Sequence, residues 1–380
     1  MGSDCDAIVA GAGIWGCTVA RRLAEAGHKV LVMEKRAQVG GNCRCEIDAE
    51  TGIEVHTYGS HIFHTKDEKV WSFVRRFAGF NGYRHSVLAN YRGRIYHLPF
   101  GCTLLKEFFG RDLKPSELNE ADRKSIFDAF IRGYTSKQWG VPPEQVDPSV
   151  IARLKVRDTY STDYFDDPYQ GIPSEGYNCL FSRMLDHPNI GVETEMSLKM
   201  VGTDLRAVRN PDSTQVPFEI DCGRPGRPPL PIYYSGPIDT LFDYKFGPLP
   251  WRTLRFETEK LATADYQHNS VVNYTEASLP YTRIHEFRHY HPESEGGLHP
   301  TIEQSNNLNN RTIITREYPK SWQPGDEPYY PIASEESAAL LARYQAEAAK
   351  IPGLVIGGRL GNYRYYDMDQ AMVAAFEVDI

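Results

Sequence analysis

Residues 6–35 read DAIVAGAGIWGCTVARRLAEAGHKVLVMEK, and this stretch decides the fold. Asp6 to Ala10 is a short apolar run of the buried-strand kind, Gly11 to Gly16 a turn, Cys17 to Ala26 a helix ended by Gly27, and Lys29 to Glu34 a second strand. Together they form a βαβ unit. Gly11, Gly13 and Gly16 fit G-x-G-x-x-G between that strand and that helix. Glycines there permit a tight turn, close approach of backbone to a pyrophosphate and packing of helix on strand, with the helix amino terminus facing the anion. Glu34, eighteen residues past Gly16, stands where a carboxylate accepts hydrogen bonds from both ribose hydroxyls of an adenine dinucleotide. Gly40-Gly41-Asn42 extends the pattern in the way common to FAD enzymes of the glutathione reductase type, so FAD is preferred over NAD.

Farther along, Lys69 to Phe77 has helical spacing and Ser86 to Leu98 alternates around Arg92-Gly93 as a hairpin does. Leu104 to Gly133 is helical and charged, and Val156 to Gln170 is aromatic and extended, so a helical insert followed by sheet is expected. Pro188 to Ser235 contains the proline-rich GRPGRPPLP at 223–231, read as a surface loop. Ile232 to Ser235 is a short strand, and Asp239 opens a short helix through Phe246. Residues 251–330 alternate again, Ser334 to Lys350 is an amphipathic helix, Leu354 to Gly357 a strand and Asp369 to Phe376 a helix. Strand, glycine turn and helix at both ends of the chain predict a discontinuous nucleotide domain.

The chain has 380 residues, 41% hydrophobic and 24% charged, which excludes disorder and predicts two or three packed units. No apolar run approaches membrane-spanning length, and the amino terminus leads straight into a strand, so neither a membrane span nor secretion is expected. A net charge of -8 speaks against nucleic acid as partner and requires a local arginine site for any anionic ligand. Seven scattered cysteines without a C-x-x-C pair fit reduced thiols in a cytoplasm. The 23 Tyr, 17 Phe and 5 Trp suit a ligand cleft as well as a core.

His61 and His64 stand three apart, but nothing at helical spacing completes a metal set, so no metal is expected. Either the backbone satisfies both, or they face the flavin ring. Arg153, Arg157, Arg283 and Arg359 sit beside aromatic or turn segments, as permanently charged forks for a diphosphate would.

Read together, YGSHIFHT (58–65), GYTSKQWG (133–140), YSGPID (234–239), PYTRI (280–284), EPYYPI (327–332) and GRLGNYRYYDMD (358–369) resemble the UDP-galactopyranose mutase family of the bacterial type, over nearly the whole chain. The resemblance implies an isomerase interconverting UDP-galactopyranose and UDP-galactofuranose, a precursor of surface glycans. It would use reduced FAD, through a covalent adduct of flavin N5 with the sugar. NAD(P)H or another reductant would reduce the FAD, and a homodimer is left open.

The implied α/β fold is a Rossmann-like FAD domain with a helical insert and a twisted antiparallel β-sheet domain. Residues 1–78, 179–245 and 334–380 would form the first, 100–150 the second, and 79–99, 151–178 and 246–333 the third. By motif, Trp139, Tyr134 and Thr135 would line the uridine end and cleft wall, with Asn273 nearby. Arg153 and Arg283 would grip the diphosphate, helped by Tyr164, Tyr330 and Tyr365, with Glu317 in the cleft. Arg359, Asp367, Met368 and Asp369 belong to the carboxy-terminal FAD segment, with Gly41, Asn42 and His61 also at the cofactor, and His61, His64, Arg153 and Arg283 the catalytic set. Two alternatives are a mutase for another nucleotide sugar, N-acetylated or deoxy, and an FAD-dependent oxidoreductase.

Overall fold

The computed structural model describes residues 5–146, 156–202, 204–210, 219–221, 229–291 and 310–380. β1 (Ala7–Ala10) and β2 (Val30–Glu34) are buried along their whole lengths, joined by α1 (Ile14–Glu25). They lie within a five-stranded parallel sheet in the order Leu354–Ile356, Ile232–Tyr234, β1, β2, Ile190–Thr194. Ala7 and Val9 enter one buried cluster and Ile8 and Ala10 another, so the sheet is covered on both faces.

α1 starts at Ile14, three residues earlier than its spacing suggests. The cause is Gly16, on which a Cβ would lie 1.9 Å from the Gly11 carbonyl oxygen; with only hydrogen there, the first helical turn packs directly on the glycine loop. At the other end Gly27 takes φ +97°, and its N–H and that of His28 reach back to Ala24 and Leu23.

The stretch ahead of GRPGRPPLP, for which no element was expected, supplies the edge strand Ile190–Thr194 and a three-stranded antiparallel sheet of Met196–Val201, Asp204–Arg209 and Glu219–Asp221. The signal was the alternation in MSLKMV and DLRAVR, whose Met196, Leu198, Leu205 and Ala207 are buried. Residues 223–228 of the proline-rich segment and the Asn-rich residues 303–309 lie outside the described residues.

A second sheet has seven strands, in the order Tyr330–Pro331, β3 (Trp251–Leu261), β6 (Thr312–Ser321), β5 (Arg283–Glu286), β4 (Val271–Tyr274), Val87–Tyr91, Arg94–Leu98. It is antiparallel except where β4 runs parallel to Val87–Tyr91. A wholly antiparallel sheet was expected, but the chain between these two strands passes through the helical insert and the parallel sheet, and so long a crossover fixes no reversal. The hairpin Val87–Leu98 turns as read, with Arg92 and Gly93 at φ +54° and +75°, both in the left-handed region a two-residue turn needs.

The segment read as helical from Leu104 to Gly133 is broken. Cys102–Phe109 stops at Gly110, Pro115 interrupts, and Glu120–Ile126 runs through π-helical turns over Phe127–Arg132 into α2 (Gly133–Trp139). Residues 156–170 show little regular structure until Tyr169–Gly171 pairs with Phe63–Thr65. The carboxy-terminal turn of α2 is fastened to the seven-stranded sheet from two sides. The Arg252 guanidinium donates to the carbonyls of Gln138 at 3.0 Å and Lys137 at 3.3 Å, and the Lys137 ammonium donates to those of Tyr274 at 2.7 Å and Tyr281 at 2.8 Å. No described helix is long and apolar enough to cross a membrane, and the six described cysteines, Cys43 and Cys45 among them, form no disulfide.

Close approach of α2 to the loop after β4 depends on Gly133, where a Cβ would lie 2.3 Å from the Thr275 carbonyl oxygen and 2.9 Å from the Ala277 nitrogen. Gly133→Val is therefore expected to destabilise the protein by about 1–3 kcal/mol. Thermal unfolding followed by circular dichroism measures this, and an unchanged melting curve would refute the packing.

Candidate active site

The carboxyl ends of the parallel strands open into a cavity of about 360 Å³, touched by Ala10, Met33, Tyr234 and Gly358. Gly11, Gly13 and Gly41 are among the glycines that shape it. A Cβ on Gly11, at φ +109°, would lie 2.2 Å from Ser235 Oγ. Gly13 and Gly41 face each other, a Cβ on Gly41 falling 3.0 Å from the Gly13 Cα. Gly16 does not line the cavity but seats α1, as described above. No side chain caps α1, whose first-turn amides remain available to an anion.

Glu34, 5% exposed, accepts the Ala12 N–H at 2.8 Å on one oxygen and the Arg36 N–H at 3.0 Å on the other. Each oxygen keeps a lone pair, which is what two ribose hydroxyls require. Asn42 Oδ1 accepts from the Arg36 guanidinium at 2.8 Å. That guanidinium also pairs with Glu327 at 2.8 Å and lies 4.2 Å above the Tyr58 ring. Arg36 and Ser235 line this cavity without having been named as site residues from sequence; the available signals were Arg36's position two residues past Glu34 and Ser235's place at the end of a strand, within YSGPID.

His61 also lines the cavity, its Nδ1 within 2.8 Å of the Gly59 carbonyl oxygen. Burial pushes its pKa down to about 4, so the ring is neutral, Nδ1 carries the hydrogen and Nε2 is left as an acceptor. Arg359, Asp367 and Met368 line the far wall, where Asp367 caps α3 (Met368–Phe376). Arg359 donates to the Tyr366 carbonyl and lies 4.7 Å from the Tyr365 ring centre. His64 lies elsewhere, bonded to Asp167 and stacked on Phe165 at 3.6 Å.

Beside this cavity is a second cluster, around Arg283. It sits on β5 opposite Asn273 of β4 and Glu317 of β6, and its guanidinium bonds the Tyr134 hydroxyl and approaches Glu317 at 3.5 Å. Glu317 is 3% exposed yet held below the usual carboxylate range: burial opposes its charge, but Arg283 and His285 outweigh that. Burial likewise opposes the Arg283 charge, and Glu317 with Tyr134 reverses the balance, so the guanidinium holds its proton more tightly than usual. The Tyr134 phenol is pushed up to about 12 by burial and stays protonated.

Tyr330 stands 6.4 Å from Trp139 and stacks on Tyr365 at 6.1 Å, so Tyr365 and Arg359 join the two clusters. Thr135 is buried on α2, and Tyr164 packs edge-on against His85 at 5.4 Å, its phenol acting electrostatically on Tyr134. The Asn273 Oδ1 is buried without a hydrogen-bond partner. Arg153 lies outside the described residues. Sequence reasoning missed His285, two residues past Arg283 and hence on the same face of β5; that alternation was the available signal.

Residues 129–365 match the family profile of UDP-galactopyranose mutase, and residues 9–77 that of an NAD(P)-binding Rossmann-like domain. The chain is 33% identical to a dTDP-fucopyranose mutase of Escherichia coli, over 97% of this chain and 96% of that protein. It is 32% identical to a UDP-galactopyranose mutase of Mycoplasma pneumoniae, over 97% and 93%. A crystal structure of reduced UDP-galactopyranose mutase superposes with a TM-score of 0.66 at 17% identity, covering 98% of this chain and 94% of that one, and so shares its fold.

A Cβ on Gly13 would have the Gly41 Cα as its nearest neighbour, at 3.9 Å, so the protein itself has room for a side chain there and only a bound pyrophosphate would not. Wild type is expected to purify yellow and Gly13→Val to fold without flavin, measured as flavin absorbance per folded chain. A folded variant with full flavin content would refute the cradle.

Proposed function

The chain belongs to the UDP-galactopyranose mutase family, and from that premise we propose that it interconverts the pyranose and furanose forms of UDP-galactose with reduced FAD. The observation that carries this reading is the Arg283 cluster, a charged fork with phenol donors set beside a dinucleotide cradle. The cradle residues fit FAD: paired glycines leave a slot, an uncapped helix faces it, and Glu34 keeps free lone pairs. Ring contraction at a constant oxidation level calls for a nucleophile at the anomeric carbon, which a reduced flavin supplies through N5 when bound.

The protein's own part is to hold what leaves and returns. Arg283, with Arg153 as its proposed partner, grips the diphosphate in both steps, and a preorganised cation that stays in place lowers both barriers. Tyr330 remains protonated because burial raises its pKa, and with Tyr164 and Tyr365 it donates to the phosphates. Glu317 keeps Arg283 aimed, and neutral His61 offers Nε2 to the cofactor side. Trp139, Thr135 and Asn273 form the nucleoside end, where the unpartnered Asn273 oxygen accepts from a nucleobase N–H. A reductant such as NAD(P)H is needed to start turnover but is not consumed by it.

A second reading is a mutase for a dTDP-deoxysugar, favoured by the near-equal identity to the Escherichia coli dTDP-fucopyranose mutase, 33% against 32%. Chromatography of UDP-galactofuranose and dTDP-fucofuranose incubated with dithionite-reduced enzyme separates the two. Preferred turnover of the dTDP sugar selects the second reading, and oxygen consumption without isomerisation refutes both.

Arg283→Ala should lower kcat/KM by roughly thirty- to a thousandfold, about 2–4 kcal/mol. Arg283→Lys should recover part of this, because a point charge cannot replace a planar fork. Flavin content and melting are measured alongside, since Arg283→Ala strands a buried carboxylate. Loss of no more than about threefold would make Arg283 an ordinary arginine.

A further inference from the structure

Behind Arg283, starting at Glu317, runs a chain of side chains whose His285, Ser60 and Tyr290 the proposed reaction does not use. Glu317 Oε2 meets His285 Nε2 at 3.1 Å, His285 Nδ1 meets Ser60 Oγ, and Ser60 Oγ meets the Tyr290 hydroxyl. His285, Glu317 and Tyr290 are all buried, at 0%, 3% and 1% exposure. The hydrogen positions follow from one constraint: an ionised carboxylate only accepts. His285 must therefore donate from Nε2. Burial keeps its ring neutral, so Nδ1 accepts, Ser60 donates to it, and Tyr290 donates to Ser60. Every bond in the chain points toward Glu317.

We propose that His285 is a positioning residue: held in one tautomer by Ser60 and Tyr290, it orients the Glu317 carboxylate that aims Arg283 at its anionic ligand. The arrangement has a second consequence. Ser60 immediately precedes His61, which lines the cofactor cavity, so the same relay ties the arginine to the backbone of the cofactor side. Glu317 cannot be aimed by Arg283 alone, because their closest contact is 3.5 Å and Arg283 Nε has no hydrogen-bond partner. The bond from His285 is the shorter one. Thr282 adds a weaker donor, its Oγ1 3.3 Å from Glu317 Oε1, and Gly59, at φ +87°, leaves its missing Cβ 3.9 Å from Oε2.

Among the described residues, the groups that face this pair come from several elements. Tyr134 of α2 and Tyr330 lie around Glu317 and stay protonated because burial raises both. His56, His61 and His85 surround His285, and burial lowers them to about 3, about 4 and about 3, so none is charged at neutral pH. Glu317, whose pKa lies below the usual range, contributes to the acidic limb of anion binding, while the histidines that gain a proton at about 3 to 4 act in the opposite sense. The Glu317 charge is present above its pKa and lost as the pH falls through it. Removing the His285 donor should raise the Glu317 pKa and move the loss to higher pH.

The proposal rests on the reading of Arg283 as the diphosphate clamp, and the test separates the two. UDP is the probe, titrated calorimetrically into flavin-loaded wild type, Arg283→Ala, His285→Phe, His285→Gln and Ser60→Ala across pH. His285→Phe should weaken UDP about three- to tenfold at neutral pH and move the acidic limb up by about one unit. His285→Gln, which keeps an N–H donor, should recover most of that, and Ser60→Ala should fall between. Flavin content should stay at the wild-type level. If His285→Phe does not fold, Ser60→Ala carries the decision, since it removes one hydroxyl only. A variant that melts earlier but binds UDP with an unmoved acidic limb overturns the proposal, because His285 would then merely fill space. UDP binding that Arg283→Ala leaves intact overturns the clamp itself, and the positioning role with it.

Discussion

A carboxylate that keeps its charge in the interior must be surrounded by donors, and the surroundings of Glu317 set much of this protein's architecture. Strand register brings Arg283 of β5 opposite it, with Phe256 of β3 on its other side. Thr282 and His285 complete the shell. Replacing any one donor leaves the others to hold a charge that water cannot reach. That is why the centre of the seven-stranded sheet, ordinarily the place for apolar side chains, carries a chain of polar ones.

Glu34 plays the corresponding part in the parallel sheet. It too is buried, ends a central strand and is held by two N–H groups, from Ala12 and Arg36. The difference is what each carboxylate leaves over. Glu34 retains lone pairs that face the cavity, and Glu317 spends its own on aiming a cation. One organises an acceptor site and the other a donor site. Tyr365 and Tyr330, stacked on each other and flanked by Arg359 and Trp139, form an aromatic wall between them. α2 supplies part of that wall, and Arg252, Lys137 and the bare Cα of Gly133 hold it against the sheet.

The relatives named for UDP-galactopyranose and for dTDP-fucopyranose are about equally similar to this chain, at 32% and 33% identity. Their names share a pyranose and a nucleoside diphosphate, and the diphosphate is what the Arg283 cluster is proposed to hold. A cation with phenol donors reads phosphate oxygens and is indifferent to the substituents of the sugar. Under that proposal, choice between such sugars would come from contacts to the sugar itself rather than to the diphosphate.

The sequence by itself determined the βαβ unit, because strand, glycine turn and helix are local patterns whose physics is contained within thirty residues. It also pointed to Gly13, Gly41, Asn42, Glu34, Arg359 and Asp367, all of which meet at one cavity. The glycines, Asn42 and Glu34 were legible because backbone conformation and strand ends are written in nearest neighbours, whereas Arg359 and Asp367 came through the family resemblance. The start of α1 and the parallel pairing of β4 were not legible, since they depend on what packs against each segment. His64 shows the limit from the other side: three residues from His61, it belongs to a different environment, because strand geometry turned it toward Asp167 and Phe165. The tertiary structure alone decided the relay from Tyr290 to Arg283. Ser60, His285 and Glu317 lie 225 and 32 residues apart along the chain; the register of β5 on β6 brings His285 to Glu317, and the packing of the loop that carries Ser60 completes the line.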